Sequence, residues 1–306
     1  MLYFFAPFRI FSLTKTAGQL LFSAAILLCL SACSPKHLII QGIANELSNQ
    51  GRVQEDDLVL AREASAFYLK LSEALLIEVP DNTKLSESVA IGFTQYAYAF
   101  VSFEAERIES KDAKAAHALR ERAVRLYSRA NRHAMAALER AHPGFRKLLE
   151  STQPADWPQL ENEYVGLAYW AAASWGGLIS LSKDSPDTVA DLPLAVRLAH
   201  LAYTKDPRYG NGSLASLMGT FETARAGGSS AQALMYFDQA IAFGATLSAG
   251  PLVAKAEGAS LPNGNRLEFE TLLHQALAVC IAHPDMQNAV VRERAQWLLG
   301  IADDLF

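Results

Sequence analysis

The chain has 306 residues, 51% of them apolar and 19% charged, enough to build a sizeable core in one large domain or two. Its 27 basic residues are outnumbered by 32 acidic ones, a formal net charge of −5 that disfavours nucleic acid as a partner. Cys29, Cys33 and Cys280 are too few and too scattered for a disulfide scaffold.

Residues 1–32 read as a targeting segment and stand outside the fold. Arg9 and Lys15 give a positive lead, Ala17 to Leu30 is an apolar run too short for a comfortable membrane span, and Leu30-Ser31-Ala32-Cys33 ends it. A Leu-type residue, two small residues and a Cys at this distance resemble the lipobox of a bacterial lipoprotein. That resemblance implies cleavage before Cys33 and acylation of its sulfur, palmitate included, and of its new amino group. An uncleaved membrane helix is the alternative. Each buried methylene contributes about 0.8 kcal/mol, so several acyl chains hold a protein stably where one does not. Ser34, rather than Asp, follows the Cys. This resembles an outer-membrane address, so the expected location is the outer membrane, facing the periplasm. Losing Arg9 and Lys15 makes the remaining chain more acidic still. Residues 33–55 then form a lipidated tether and residues 56–306 a single domain.

The first helix is expected over Asp57 to Glu78, where Leu60, Ala64, Phe67, Leu71, Ala74 and Leu75 recur at three and four and face inward, before Pro80-Asp81-Asn82 ends it. From Leu85 to about Glu109 a second helix carries Phe93, Tyr96, Tyr98, Phe100 and Phe103 on more than one face. It is therefore largely buried until Glu104, Glu106 and Arg107. Lys111 to Arg140 reads as a long, solvent-facing helix with Leu119, Ala123, Leu126, Ala130 and Ala137 inward. Arg122, Arg125, Arg129, Arg132 and Arg140 share a sector of about a hundred degrees on it. Such a stripe is either a solvated face paired with nearby Glu or a docking face for an acidic partner. His142-Pro143-Gly144 breaks the helix.

Tyr164 to Ser182 follows, nineteen residues without a charge, close to the length of a membrane span. Alanine, glycine and serine fill about half of it, and small residues gain little from hydrocarbon but let other helices approach closely. Tyr164, Ala168, Ala171, Trp175 and Leu178 form one stripe at helical spacing, with Ala172, Gly176 and Ser180 a smooth one beside it. The reading is a central helix buried on most sides, its Tyr169, Trp170 and Trp175 serving as core packing or lining a cavity.

Beyond Lys183 the pattern repeats. Ala195, Ala199 and Ala202 precede Pro207, and the same spacing recurs in Ala233, Phe237 and Ala240, in Ala123, Tyr127 and Ala130, and in Phe269, Leu273 and Ala276. In a tetratricopeptide second helix these positions pack on the preceding helix. The first-helix signature is absent, so the expected fold is all-α, an irregular tetratricopeptide-like helical solenoid or bundle. Val290 to Leu305 closes it, with Trp297 and Leu298 inward.

These pieces resemble the TatT-type lipoproteins, the tetratricopeptide-like component associated with tripartite ATP-independent periplasmic (TRAP) transporters. The likeness covers about Asp57 to Phe306. It rests on Tyr96-Ala97-Tyr98-Ala99-Phe100-Val101 with Glu104-Ala105-Glu106, on His142-Pro143-Gly144-Phe145, on Tyr169-Trp170-Ala171-Ala172-Ala173-Ser174-Trp175-Gly176, on Asp206-Pro207 with Tyr209-Gly210, and on Trp297-Leu298-Leu299 with Asp303-Asp304-Leu305-Phe306. It implies a helical groove or pore, a homotrimer, docking of the periplasmic solute-binding subunit of a TRAP transporter, and transfer of a small apolar or amphipathic ligand.

For that reading the candidate ligand-binding residues are Tyr169, Trp170 and Trp175, with Tyr96 and Tyr209 beside them, and the candidate docking residues are Arg122, Arg125, Arg129 and Arg132. An enzyme finds little support. The seven His are scattered, Gly227-Gly228-Ser229-Ser230 lacks a phosphate-binding Lys and reads as a turn and N-cap, and no Gly-x-Ser-x-Gly elbow occurs. Asp184, Asp187 and Asp191 read as a charged loop, with a cation site as the alternative. No catalytic residue, metal or cofactor is expected apart from the lipid on Cys33. A general tetratricopeptide-like envelope scaffold without a small ligand, and a cell-envelope enzyme with an unrecognised site, are the competing functions.

Overall fold

A computed structural model describes residues 41–47 and 57–306, and among these there are helices and no strands. The signal segment and Cys33 lie outside the described residues. Asp57 starts α1 (Leu58–Glu78) by accepting the backbone N–H groups of Val59 and Leu60 on its carboxylate. Asn82 caps α2 (Thr83–Ala97) in the same way. α2 then widens into a π-helical turn at Tyr98–Ser102 and continues as α3 (Phe103–Ile108). Asp112 caps α4 (Ala113–Ala141), which ends at His142 where Gly144 adopts a φ of 86°.

The short α5 (Phe145–Glu150) leads through two 3-10 turns to α6 (Val165–Ser180). After it come α7 (Pro186–Val189), α8 (Leu192–Lys205), α9 (Ser213–Ala224) and α10 (Ser230–Gly244), the last capped by Ser229 as the sequence predicts. α11 (Gly250–Lys255) runs into a second π-helical turn at Ala256–Ser260. The chain closes with α12 (Arg266–Ala282), α13 (Met286–Gly300) and α14 (Ala302–Leu305).

The major helices stack largely in chain order. α1 packs on α2, α2 on α4, α4 on α6, α6 on α8, and the stack continues through α9, α10, α11 and α12 to α13, which returns to touch α1. α6 is the hub. It contacts α2, α4, α8 and α9 and buries ten of its sixteen residues. At about 1.5 Å per residue it spans about 24 Å, short of a hydrocarbon core of about 30 Å. No helix among the described residues is long and apolar enough to cross a membrane.

Small residues let the layers close up. A Cβ at Gly176 would meet the Phe221 ring at 2.8 Å, one at Gly177 the Tyr127 ring at 2.7 Å, and ones at Gly219 and Gly258 the Phe237 ring at 2.8 and 2.6 Å. Every residue of the four repeat triplets is buried. The triplets are thus one packing device used on α4, α8, α10 and α12. Cys280 is also buried, and burial pushes its thiol up to about 11, as suits a small apolar residue.

One expectation holds and one changes. α4 is packed between α2 and α6 with Ala123, Ala130 and Ala137 buried and its arginine side toward solvent. On α1 the helix is rotated from its apolar stripe: it buries Ala61, Leu69, Ser72, Glu73 and Leu76 and leaves Leu60 52% and Phe67 67% exposed. The reason is polar. Glu73 accepts hydrogen bonds from Arg129 and meets His133 on α4, and this tie fixes which side of α1 faces inward.

The loop from α8 to α9 has the strictest backbone. Gly210, Asn211 and Gly212 all have positive φ, Gly212 at 91°, and a Cβ at Gly212 would run into the Ala240 carbonyl oxygen of α10. Gly212→Ala is therefore expected to destabilise the fold by about 3 kcal/mol, combining left-handed strain with a backbone clash that no rotamer relieves. Urea denaturation beside Gly227→Ala, where a Cβ meets nothing within 4 Å, isolates the clash. Equal losses in the two variants would refute it.

Candidate functional site

α6 builds an aromatic cluster around its first two turns. The Tyr169 ring lies 4.9 Å from Trp170 and 5.2 Å from Tyr209, centroid to centroid. The Trp170 indole N–H donates to the Tyr209 hydroxyl, which donates to Glu87 of α2 at 3.2 Å. Gly166 leaves room for them: a Cβ there would have to displace the Glu87 carboxylate and the Tyr209 hydroxyl. Burial pushes the Tyr169 hydroxyl up to about 12 against a hydrogen bond from Ser213, while burial and the Glu87 charge raise Tyr209. Both phenols stay neutral hydrogen-bonding groups at physiological pH.

Three of the five aromatic candidates thus come together, and two stand elsewhere. Trp175 is 2% exposed, within the core, with the Arg146 guanidinium 5.7 Å from its ring. Tyr96 packs edge-on to Phe100 at 5.4 Å and lines a separate cleft of about 490 Å³. That cleft opens between α1, the α2–α3 segment and α13. Tyr96, Phe100, Phe103 and Val290 give it apolar walls, and Arg62, Glu63, Arg107 and Glu293 add charges.

The arginine stripe divides. Arg129 turns in to Glu73 and lies 5.0 Å from the Phe93 ring, and Arg140 reaches Asp81 at 3.8 Å. Arg122 is exposed and sits 5.7 Å from the Tyr96 ring. Arg125 and Arg132 are exposed, Arg132 donating to Ser128 at 3.2 Å. The stripe thus holds arginines paired to carboxylates, Arg129 and Arg140, beside exposed ones, Arg125 and Arg132.

At the seam where α13 returns, a charged group appears that sequence reasoning missed. Arg294, 8% exposed, donates to Glu106 of α3 at 2.5 Å and to Glu257 at 2.6 Å. Its guanidinium lies 5.1 Å from both the Phe103 and the Trp297 rings. Glu106 and Arg294 are 188 residues apart, so no local pattern could pair them. The one local signal was an arginine next to the buried Ala295.

Residues 54–306 match the family model described as TAtT, TRAP transporter T-component. The chain belongs to that family. As a T-component it is associated with a TRAP transporter, and the family is a transporter component rather than an enzyme family. The T-component is also 27% identical to an uncharacterized protein of Treponema pallidum (strain Nichols), over an alignment covering 92% of this chain and 95% of the relative. Among the described residues of the T-component, no three His, Cys, Asp or Glu are grouped to hold a metal, the Asp184, Asp187 and Asp191 loop included.

Proposed function

We propose that this T-component is lipid-anchored through Cys33 at the outer membrane, faces the periplasm, docks the solute-binding subunit of its TRAP transporter and passes it a small apolar or amphipathic ligand. The observation that carries the reading is the cleft. Its aromatic walls and charged residues suit a molecule with an apolar body and a polar end. Arg122 lies over the ring of Tyr96, which is one of the cleft's walls, and exposed Arg125 follows one turn on, which supports a partner held on the stripe near the cleft. The uncovered apolar side of α1, with Val59, Phe67 and Ile77 each at least 67% exposed, supports a contact between copies in a homotrimer.

The test is capture of the solute-binding subunit by the full-length, membrane-anchored chain. Charge reversal at Arg122 and Arg125 together is expected to weaken capture by roughly tenfold at low ionic strength and less at high salt, because exposed charges steer association. Unchanged capture would remove the stripe from the docking surface. Sizing the same preparation reads the homotrimer.

A further inference from the structure

The apolar surface that stays uncovered is concentrated on two helices. Among the described residues, seven large apolar side chains are more than half exposed: Val59, Leu60, Phe67 and Ile77 on α1, Leu267 and Ile281 on α12, and Leu247 in a turn. The stripe that α1 turns away from the core is Leu60, Ala64, Phe67, Leu71 and Ala74; on α12 it is Leu267, Thr271, His274, Ala278 and Ile281. Both follow the alternating four and three spacing of a helix that packs along another helix, and neither contains a formal charge.

On α12 the buried residues Phe269, Leu272, Leu273, Ala276 and Cys280 occupy the side opposite the stripe, and from Thr271 to Ala282 no residue carries a charge. The one hydroxyl in the stripe is already satisfied: Thr271 donates to the Leu267 carbonyl oxygen at 2.7 Å, which leaves its methyl for contact. In a stacked-helix fold the end layers ordinarily carry a polar outer side, which keeps the stack soluble. α1 opens this stack and α12 stands near its close, and both do the reverse.

A stripe of this kind fits a second helix of matching length and spacing, and each of the two helices offers that to the other. A ring of three copies cannot be closed by one patch meeting itself, since that contact pairs two copies and stops. It needs two unlike patches on every chain, joined head to tail. The stripes run over residues 60–74 and 267–281, each about 22 Å of helix. Their six most exposed side chains, with Val59 and Ile77 flanking the α1 stripe, present on the order of 600 Å², taking a large side chain at roughly 150–250 Å². Leu71, Thr271 and the alanines between them bring one contact toward the roughly 1,200 Å² at which specific interfaces begin, and each copy in a ring makes two. From this pattern we infer that α12 of one copy packs along α1 of the next. The inference rests on the homotrimer reading and names its contact, with α12 as the counterpart of α1.

Two double variants of the full-length chain in mild detergent test the pairing: Leu60→Glu with Phe67→Glu on α1, and Leu267→Glu with Ile281→Glu on α12. All four side chains are more than half exposed, so both variants should keep the wild-type circular dichroism and melt as a folded chain. Weighed by native mass spectrometry, each should fall from trimer to monomer, one third of the wild-type mass. Mixed together they should form a dimer, two thirds of that mass, because the intact α12 of one variant still meets the intact α1 of the other while the ring cannot close. A folded α12 variant that stays trimeric would overturn the pairing and leave the homotrimer standing, as would a mixture of the two monomers in which no dimer forms. A monomeric wild-type chain would remove the homotrimer and this contact together.

Discussion

Phe237→Ala is expected to cost about 4 kcal/mol of folding stability, the largest effect of any single truncation considered for this chain. The ring is fully buried and is wedged between α9 and the second π-helical turn, where Gly219 and Gly258 leave out the side chains that would otherwise occupy its place. Gly219 and Gly258 have no side chain to swing in, and Ala233, Ala254 and Ala259 are too short to refill the void, so the cavity should lie toward the high end of the known range. In a stacked-helix fold each layer is held mainly by its neighbours. The loss should therefore fall first on α9, α10 and α11. Hydrogen exchange should speed up there before it does in α2, α4 and α6, and urea denaturation gives the magnitude. Phe237→Leu, which refills much of the volume, should recover more than half of the loss. A cost below about 1 kcal/mol for the alanine variant would mean that the layers do close over the gap.

What could be read from the chain depended on range. The repeat triplets were legible because small and bulky apolar residues at a fixed 0, 4, 7 spacing on one helix are a local statement about how near the next helix can come, and all twelve residues are buried. The uncharged stretch around Trp170 was legible for the same reason. Composition alone marked a helix that others could approach, and α6 is that helix. Of the candidate ligand residues, Tyr169, Trp170 and Tyr209 converge, since α6 and the turn before α9 are adjacent layers. Tyr96 and Trp175 do not join them, because helical spacing gives the direction of a side chain and not what stands opposite it.

The failures share a cause as well. On α1, Leu60 and Phe67 made the better apolar stripe, but burial went to the side bearing Ser72 and Glu73. Partners on α4 decided that rotation, and they are 56 and 60 residues away. Arg294 was unreadable for the same reason over a longer reach. The π-helical turns left no mark either. Each is an insertion within an otherwise ordinary helical pattern, visible only once hydrogen bonds are followed along the backbone.

Glu73 gives the second large effect and carries the acid sensitivity of the N-terminal layers. Its side chain is only 9% exposed, and burial alone would raise its carboxyl. Hydrogen bonds from Arg129, from Lys70 at 2.7 Å and with His133 at 2.8 Å outweigh that, and they lower it from the ordinary 4.5 to about 2. A depressed carboxylate stabilises the fold above its unfolded pKa. Its contribution is therefore complete above about pH 4.5 and is lost as the pH falls through about 2. At roughly 1.4 kcal/mol per unit, that depression corresponds to about 3 kcal/mol at neutral pH. Glu73→Gln should lose about that much, since the amide cannot balance a half-buried arginine. Glu73→Leu should lose as much or more, although it adds apolar volume, because Arg129 would keep its charge against Phe93 with no anion beside it. Wild type and Glu73→Gln should differ most at neutral pH and converge in strong acid, as denaturation at a series of pH values reads directly. A gap that stayed constant from neutral pH into strong acid would mean that the loss comes from packing and not from the carboxylate, and the ion-paired account of how α1 is oriented on α4 would fail.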